Sequence, residues 1–88
     1  MNSKETFNNL AEWVRTTPMP ASDNEKVICY GYYKQATVGD INTVAPWIIN
    51  LKERTKWNMW NKNKGMSKQK AQELYIESVN LLKKKYNI

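Results

Sequence analysis

Apolar positions recur at three- and four-residue intervals along much of the chain, and this spacing predicts α-helices rather than strands. The first predicted helix covers about residues 4–16. Its apolar stripe consists of Phe7, Leu10, Ala11 and Val14. Pro18 and Pro20 follow, and each lacks the backbone N–H that a helix interior requires. We therefore expect the first helix to end before Pro18.

Ser22 and Glu25 predict the start of a second helix. A hydroxyl and a carboxylate at this spacing form a capping box, in which each side chain accepts a hydrogen bond from the other residue's backbone N–H. The helix is expected to run to about Val38, because Gly39 suits the left-handed position that often follows a helix. The connection from Gly39 to about Asn50 is long for a helical protein, and long connections in compact domains are often functional.

Two further helices are predicted in the second half of the chain. Asn50 and Glu53 form another cap pair, which opens a short helix through about Asn61, and Ser67 caps the last helix. One face of that last helix carries Ala71, Leu74, Tyr75, Ser78, Val79 and Leu82. No strand-like alternation competes with these patterns. The predicted fold is therefore all-α, with four helices in an antiparallel bundle variant that occupies residues 1–88 as a single domain.

The composition excludes several kinds of chemistry. The 88 residues contain no histidine and one cysteine, Cys29, which we interpret as a small buried apolar residue. A zinc ligand set, a disulfide framework and a Cys-His or Ser-His catalytic pair are excluded on these grounds. The carboxylates show no pair suited to acid–base catalysis. We expect no metal, no cofactor and no catalytic residues.

The chain shows no sequence feature of a membrane or secreted protein. Its longest apolar runs, such as Trp47-Ile48-Ile49, are far too short to span a bilayer. The N-terminal residues Met1–Glu5 are polar and lack an apolar signal region. We expect a soluble, cytoplasmic protein and, by default, a monomer.

The charge balance favours an anionic partner without requiring one. Fourteen Lys+Arg against eight Asp+Glu give a net charge of +6, which suits nucleic acid, a phospholipid surface or a phosphorylated small molecule. A solubilising surface explains the charge alone equally well. Lys83–Lys85 are expected in the last turn of a helix, where cations complement the helix dipole. Lys52 and Lys56 lie four residues apart and repel each other unless an anion lies between them, although a solvated face is the alternative.

Aromatic residues accompany these charges. Tyr30, Tyr33 and Lys34 share one face of the second helix and together offer stacking area, hydroxyl donors and a positive charge. The alternative is that the two tyrosines pack in the core with Lys34 at its edge. Trp57 and Trp60, at i and i+3, are expected to pack into the core. A nucleic-acid-binding module and a small enzyme, such as a thioesterase or isomerase, are the competing function classes, but a basic recognition helix and catalytic groups are absent from the sequence.

The run from Tyr30 to Asp40 resembles the signature of the acyl-CoA-binding protein family. The family pattern Tyr-x-x-Tyr-Lys-Gln-Ala-Thr-x-Gly-Asp is matched at every fixed position. The resemblance continues through residues 41–43, Lys56-Trp57-x-x-Trp60 and Lys64-Gly65-x-Ser67, and covers essentially the whole chain.

This resemblance implies four helices in an up-down-down-up arrangement that form a shallow bowl. It implies non-catalytic binding, buffering and intracellular transport of medium- to long-chain fatty acyl-CoA esters, one per protein and without a cofactor. The acyl chain would lie in an apolar groove, where each buried methylene contributes about 0.8 kcal/mol. Transient contacts with membranes or with enzymes that use acyl-CoA are compatible with this function, whereas no nucleic-acid partner is expected.

The resemblance also carries ligand-binding roles to particular residues. Tyr30, Lys34 and Lys56 would hold the phosphorylated nucleotide end of CoA, in particular the ribose 3′-phosphate. Such a ligand would also explain the like-charged pair of Lys52 and Lys56, in which Lys52 would add positive potential. Tyr33 would line the adenine site and Tyr75 would border the CoA site. Arg15 stands where relatives often have a lysine near the adenine and the phosphates.

Four places depart from the family pattern without removing a phosphate ligand. The segment Thr17–Pro20 replaces a Leu- and Lys-containing helix end, and Lys26-Val27 replaces a typically apolar pair near the acyl groove. Ala45-Pro46-Trp47 replaces the common Arg-Pro-Gly and places an indole in the loop between the second and third helices. Met59 replaces the usual alanine between two tryptophans. These departures leave the preferred acyl length open.

Overall fold

The computed structural model of the chain describes residues 3–47 and 49–88, so Ile48 of the apolar run lies outside the described residues. These residues form four α-helices without strands, as predicted. The helices are α1 (Ser3–Thr16), α2 (Asp23–Thr37), α3 (Leu51–Lys62) and α4 (Lys68–Tyr86). None of the described helices has the length and apolar character needed to cross a bilayer.

The helix boundaries follow from local capping. The Ser22 hydroxyl accepts from the Glu25 backbone N–H at 3.1 Å, and the Glu25 carboxylate accepts from the Ser22 N–H at 2.9 Å, which confirms the capping box. Asn50 and Ser67 each accept from the backbone N–H three residues further along. Gly39, with φ of 98°, adopts the left-handed conformation just after α2.

Helices α2 and α3 run in the same direction. The Lys56 Nζ lies 5.4 Å from the ring centroid of Tyr30, and one turn further along both helices the Lys34 Nζ lies 4.8 Å from the Trp60 ring. The chain must therefore travel back along the bundle between them. Residues 38–50, which we call the return segment, connect the end of α2 to the start of α3. The connection is long because it must span the length of these helices.

Helix α4 runs antiparallel to α2. Glu25 at the start of α2 bonds Lys85 near the end of α4, whereas Gln35 near the end of α2 bonds the carbonyl of Met66, just before α4.

Helix α1 runs parallel to α4. The rings of Phe7 and Tyr75 have centroids 5.1 Å apart, and the Lys83 Nζ lies 4.7 Å from the ring of Trp13, two turns further along both helices. The four directions together are up-down-down-up, as the family resemblance implied.

The main buried cluster lies where α4 packs against α1 and α2, and α2 also packs against α3 on its other side. The predicted stripes of α1 and α4 supply much of it. The cluster consists of Phe7, Ala21, Cys29, Ala36, Ala71, Tyr75, Val79 and Leu82. Helix α2 thus lies between α4 and α3 and packs against both.

The two tryptophans of α3 hold the return segment. Trp60 is buried, as expected, but lies outside the main cluster, and its indole N–H donates to the carbonyl of Gly39 at 2.8 Å. Trp57 is only half-buried, contrary to the expectation of a core position, and donates to the carbonyl of Thr43 at 3.1 Å. Apolar spacing predicted burial, but the polar edge of each indole finds a backbone partner in the loop.

A buried amide fixes the end of α2. The fully buried Gln35 donates through Nε2 to the Met66 carbonyl at 2.8 Å and to Asp40 Oδ1 at 2.9 Å. Asp40 also accepts from the Gly65 N–H at 2.8 Å, and these hydrogen bonds lower the pKa of the Asp40 carboxyl. The signature residues Gln35 and Asp40 therefore have a structural role between α2 and the α3–α4 turn.

Glu25 connects the start of α2 to the end of α4. Its carboxylate accepts from Lys85 Nζ at 2.7 Å and from the Tyr86 hydroxyl, in addition to the capping bond with Ser22. The Lys85 hydrogen bond, followed by those of Tyr86 and Ser22, lowers the pKa of Glu25 from 4.5 to about 2. A carboxyl whose pKa is lower in the folded state stabilises the fold above its unfolded pKa.

We therefore expect Glu25→Gln to lower the free energy of unfolding at neutral pH. The difference from the wild type should shrink as the pH falls from about 4.5 towards 2, because protonation then removes the same charge from the wild type. Urea denaturation across this pH range, followed by circular dichroism, measures the effect. A difference that stays constant down to pH 2 would contradict the assignment of the charge to this site.

Candidate functional site

An open groove separates the first halves of α2 and α3. This α2–α3 groove has a volume of about 690 Å³. It is lined by Asp23, Asn24, Lys26, Val27 and Tyr30 from α2 and by Leu51, Lys52, Thr55 and Lys56 from α3. Apolar side chains and the aliphatic stems of lysines form its walls, while the ammonium groups carry its charge.

Lys56 occupies a defined position on this groove. Its Nζ lies 5.4 Å from the Tyr30 ring centroid and 3.7 Å from Glu53 Oε1. Lys52 lies one turn earlier on α3 and lines the same groove, which contains three lysines against one aspartate. The like-charged pair at i and i+4 therefore lies beside a cavity with a positive potential, where an anion would relieve the repulsion.

A second groove opens between α1 and α2 above α4. This α1–α2 groove has a volume of about 370 Å³. It is lined by Ala11, Val14, Arg15, Lys26, Cys29, Tyr30, Tyr33 and Tyr75. Its wall is mainly aromatic and aliphatic, so it offers flat contact area for a planar apolar or aromatic group.

Three packed aromatic rings support this second groove. The Tyr33 ring is stacked on Phe7 at 5.9 Å and tilted against Tyr75 at 5.9 Å. Tyr75 is buried, and burial, followed by the proximity of Cys29 and Tyr33, raises the pKa of its phenol. The phenol therefore stays neutral near pH 7, and the rings give this part of the site a rigid wall.

Cys29 belongs to the wall and not to a reactive centre. The thiol is buried, and burial, followed by the nearby charge of Glu25, raises its pKa to about 11. A thiol that remains protonated near neutral pH is a weak nucleophile. This agrees with the interpretation of Cys29 as a small apolar residue.

Arg15 stands at the edge of the α1–α2 groove in a two-point contact with Glu12. Arg15 Nη2 lies 2.5 Å from Glu12 Oε1, and Nε lies 3.0 Å from Oε2. This pairing lowers the pKa of Glu12 and raises that of Arg15. Both side chains are exposed, so an anionic ligand could compete with Glu12 for the guanidinium at little energetic cost.

The two grooves meet on α2. Lys26 and Tyr30, one helical turn apart, line both of them. An aromatic groove and a larger groove with basic side chains therefore form one bipartite surface, which shares Tyr30 and Lys26. Such a surface fits an extended ligand with an aromatic end, negative charges in the middle and an apolar end.

Six of the seven residues expected to contact the ligand line one of the two grooves. Lys34 lines neither groove, and its Nζ lies over the ring of Trp60. The spacing from Tyr30 to Lys34 places both on one side of α2, but the long lysine side chain turns along the helix towards α3. Tyr33 is the most exposed ring of the aromatic cluster, which removes the alternative of a simple core residue.

Sequence reasoning did not single out several groove residues as ligand contacts. Lys26, Val27, Leu51 and Thr55 line the α2–α3 groove, and Lys26 lines both grooves. Signals for three of them were present, because the family pattern places Lys26 and Val27 near the acyl groove and Thr55 shares a face with Lys52. Among the described residues, no group of three or more histidine, cysteine, aspartate or glutamate side chains is placed to hold a metal ion.

Comparisons with known proteins agree with this architecture. Residues 4–79 match the family model described as acyl CoA binding protein. The chain is 44% identical over 82 residues to the acyl-CoA-binding protein of Gossypium hirsutum, covering 93% of this chain and 92% of that one. It is also 44% identical over 82 residues to acyl-CoA-binding domain-containing protein 1 of Oryza sativa, covering 93% and 90% of the two chains.

A solved structure gives the same result for the fold. The crystal structure of acyl-CoA-binding protein 2 from Oryza sativa superposes with a TM-score of 0.90 at 41% identity, covering 98% of this chain and 94% of that one. Sequence and structure thus agree over nearly the full length. This chain belongs to the acyl-CoA-binding protein family.

Proposed function

We propose that this protein binds medium- to long-chain fatty acyl-CoA esters, one per chain, and buffers and carries them in the cytoplasm without acting on them chemically. The observation that supports this most strongly is the meeting of an aromatic groove and a lysine-lined groove at Tyr30. An acyl-CoA ester has the matching order of groups, with a purine at one end, phosphates next to it and an apolar chain at the other end.

The adenine would occupy the α1–α2 groove. Tyr33 offers a partly exposed ring there, and the buried Tyr75 packs against it. The smaller volume of about 370 Å³ suits a flat heterocycle better than a long chain. Arg15, at the rim of the groove, would exchange part of its contact with Glu12 for a ligand phosphate.

The phosphates would lie near the boundary between the grooves. Lys56 beside Tyr30 supplies an ammonium and a phenol within one small region, and both groups can donate to a 3′-phosphate. Lys34 would join them by turning away from Trp60, which gives up a cation–π contact for a stronger interaction with a dianion. Lys52 would add positive potential from the next turn of α3.

The acyl chain would follow the α2–α3 groove towards the start of both helices. Val27 and Leu51 face this groove, and the stems of Lys26 and Lys52 add methylene groups to its walls. Burial of each ligand methylene contributes about 0.8 kcal/mol, or roughly a four-fold gain in affinity. Affinity should therefore rise with chain length until the groove is filled.

Binding without catalysis fits the chemistry of the walls. Cys29 is a protonated thiol, and the sequence contains no histidine that could activate a nucleophile. The ligand supplies its own charge and apolar surface, so the proposal requires neither a cofactor nor a metal. A monomer is sufficient, because a single chain contributes both grooves.

Isothermal titration calorimetry with palmitoyl-CoA, free CoA and palmitate tests this proposal. We expect one-to-one binding of palmitoyl-CoA, much weaker binding of CoA, and little binding of palmitate. A series of octanoyl-, dodecanoyl- and palmitoyl-CoA should show affinity increasing with length. Equal affinity for palmitate and palmitoyl-CoA would contradict the phosphate site, and equal affinity for CoA and palmitoyl-CoA would contradict the acyl groove.

A further inference from the structure

Four large apolar side chains stand in solvent where the return segment enters α3. Val44, Trp47, Ile49 and Leu51 are 92%, 83%, 87% and 69% exposed, and we call them the apolar loop surface. Single exposed apolar residues are ordinary, but four within eight residues of sequence form a concentration that a folded protein usually covers or uses.

Hydrogen bonds hold the backbone at several described residues of the return segment while these side chains remain exposed. The Trp57 indole donates to the Thr43 carbonyl, and Arg54 Nη1 donates to the Pro46 carbonyl at 3.1 Å. The Asn50 N–H closes a turn on the Trp47 carbonyl at 2.9 Å. Because α3 holds the loop through these carbonyls, the apolar side chains point away from the bundle instead of folding back onto it.

Positive charge outweighs negative charge beside this apolar surface. Residues 41–52 contain one lysine and no aspartate or glutamate, and the next residue, Glu53, pairs with Lys56 at 3.7 Å. Leu51 of the apolar loop surface lines the α2–α3 groove together with Lys26, Lys52 and Lys56, and Asp23 is the one acidic residue of that lining. Aromatic and branched apolar residues beside lysines are the composition with which proteins bind the interface of an anionic bilayer.

We propose that the apolar loop surface docks this protein on anionic phospholipid membranes. Trp47 would lie at the level of the headgroups, Val44 and Ile49 would enter the acyl region, and Lys52 would contact the phosphates. A second copy of the chain fits this surface less well, because a symmetric pair would bring equivalent lysines of the two copies together. A bilayer supplies the missing negative charge and the apolar phase at once.

The docking surface adjoins the groove assigned to the acyl chain. Leu51 belongs to both, so a protein docked in this way holds the start of the α2–α3 groove against the bilayer. This part of the inference rests on the proposed function, since it requires an acyl chain in that groove. It identifies the membrane as the place where the cargo would be loaded or released, with a short path between lipid and groove.

Vesicle sedimentation tests the docking surface directly. The full chain is mixed with vesicles of phosphatidylcholine containing about one-quarter phosphatidylserine, and with vesicles of phosphatidylcholine alone. We expect binding to the anionic vesicles that weakens with added salt and falls about ten-fold or more in the triple variant Val44→Ser/Trp47→Ser/Ile49→Ser. The matched control is Leu81→Ser/Ile88→Ser, which changes residues of α4 and the C-terminus that are 60% and 42% exposed and should leave vesicle binding unchanged.

Tryptophan fluorescence gives a second readout. Trp47 is 83% exposed, whereas the other three tryptophans are buried or half-buried, so a blue shift of the emission on adding vesicles reports mainly on Trp47. Trp47→Phe should keep most of the sedimentation and lose most of the blue shift.

Three outcomes would overturn the proposal. They are failure of the wild type to bind the anionic vesicles, equal binding to neutral and anionic vesicles, and undiminished binding by the triple variant. A concentration-dependent dimer that disappears in the triple variant would assign the surface to a second copy instead.

The triple variant leaves the groove residues intact, so its calorimetric affinity for palmitoyl-CoA should equal that of the wild type. Absence of acyl-CoA binding by the wild type would contradict the proposed function. Vesicle binding is measured in a separate experiment, so the two failures can be told apart.

Discussion

Replacing Lys56 by methionine should weaken the binding of palmitoyl-CoA about ten- to one-hundred-fold while leaving the thermal unfolding of the protein nearly unchanged. Methionine preserves most of the apolar stem that lines the α2–α3 groove and removes the ammonium beside Tyr30. A hydrogen bond to a charged phosphate is worth more than one between neutral groups, so the loss falls on binding. The exposed pair with Glu53, at 3.7 Å, contributes little to stability.

Lys62→Met is the matched control for this effect. Lys62 is exposed near the end of the same helix and lines neither groove. The Lys62→Met substitution removes the same charge from the protein, so this variant measures how much of the loss of affinity comes from net charge alone. An equal loss of affinity in both variants would show that Lys56 acts through the overall field and not as a ligand.

The ligand can be varied together with the protein. Palmitoyl-dephospho-CoA lacks the ribose 3′-phosphate, and wild-type protein should bind it less tightly than palmitoyl-CoA. If Lys56 contacts this phosphate, Lys56→Met should reduce affinity for the dephospho ligand much less than for the full one, because the partner is already missing. The same fold-reduction for both ligands would place the ammonium at the pyrophosphate instead.

Gly31→Ala should destabilise the fold by about 1–3 kcal/mol and weaken ligand binding as well. A Cβ at Gly31 would lie 2.8 Å from the carbonyl oxygen of Met59 and 3.0 Å from its carbonyl carbon. Backbone atoms cannot yield as a flexible side chain does, so α2 and α3 would have to separate. Alanine favours the helix over glycine by about 1 kcal/mol, which reduces the net loss without removing the clash.

The separation would also change the site. Gly31 follows Tyr30 directly, and Lys56 lies one turn before Met59, so moving the helices apart displaces the Tyr30 phenol from the Lys56 ammonium. Chemical denaturation and calorimetry on the same preparation measure both effects. Unchanged affinity for palmitoyl-CoA would contradict the dependence of the site on this close approach.

Gly65→Ala separates backbone strain from this clash. Gly65 has φ of 92°, and a Cβ there would meet no atom within 4 Å. Alanine in this conformation costs about 1–2 kcal/mol, so stability should fall, but α2 and α3 keep their spacing and affinity should be retained.

The features that the sequence predicted correctly are those that short stretches of chain determine. Ser22 and Glu25 are three residues apart and find each other in any helix that begins there. The Gly39 turn and the Ser67 cap follow from the same local chemistry. Apolar spacing likewise placed Phe7 in the core of the bundle.

The errors and omissions concern contacts between distant parts of the chain. The spacing of Trp57 on α3 indicated burial, but the location of the Thr43 carbonyl depends on how the return segment crosses α3. Lys85 was interpreted through the helix dipole alone, and its partner Glu25 is 60 residues earlier in the chain. Neither helical periodicity nor propensity contains information about such pairs.

The candidate site shows the same difference between what the sequence predicted and what depends on distant contacts. The family resemblance identified Tyr30 and Lys56, and both line the α2–α3 groove. Lys34 lies on the same side of α2 as Tyr30, as its spacing predicts. Its long, flexible side chain can reach several partners, however, and in this structure its ammonium lies over the Trp60 ring. The wall residue Lys26 was noted as a departure from the family pattern near the acyl groove and not as a ligand contact, because the groove it lines exists only after α2 and α3 are packed together.

The attachment of the return segment through its carbonyls has an evolutionary consequence. Indole and guanidinium donors on α3 bind main-chain oxygens of Thr43 and Pro46, which every residue type provides. Mutations that alter the outward side chains at positions 44, 47 and 49 therefore carry little penalty for folding. Selection can therefore change these outward side chains step by step, while the bundle and its two grooves are inherited intact.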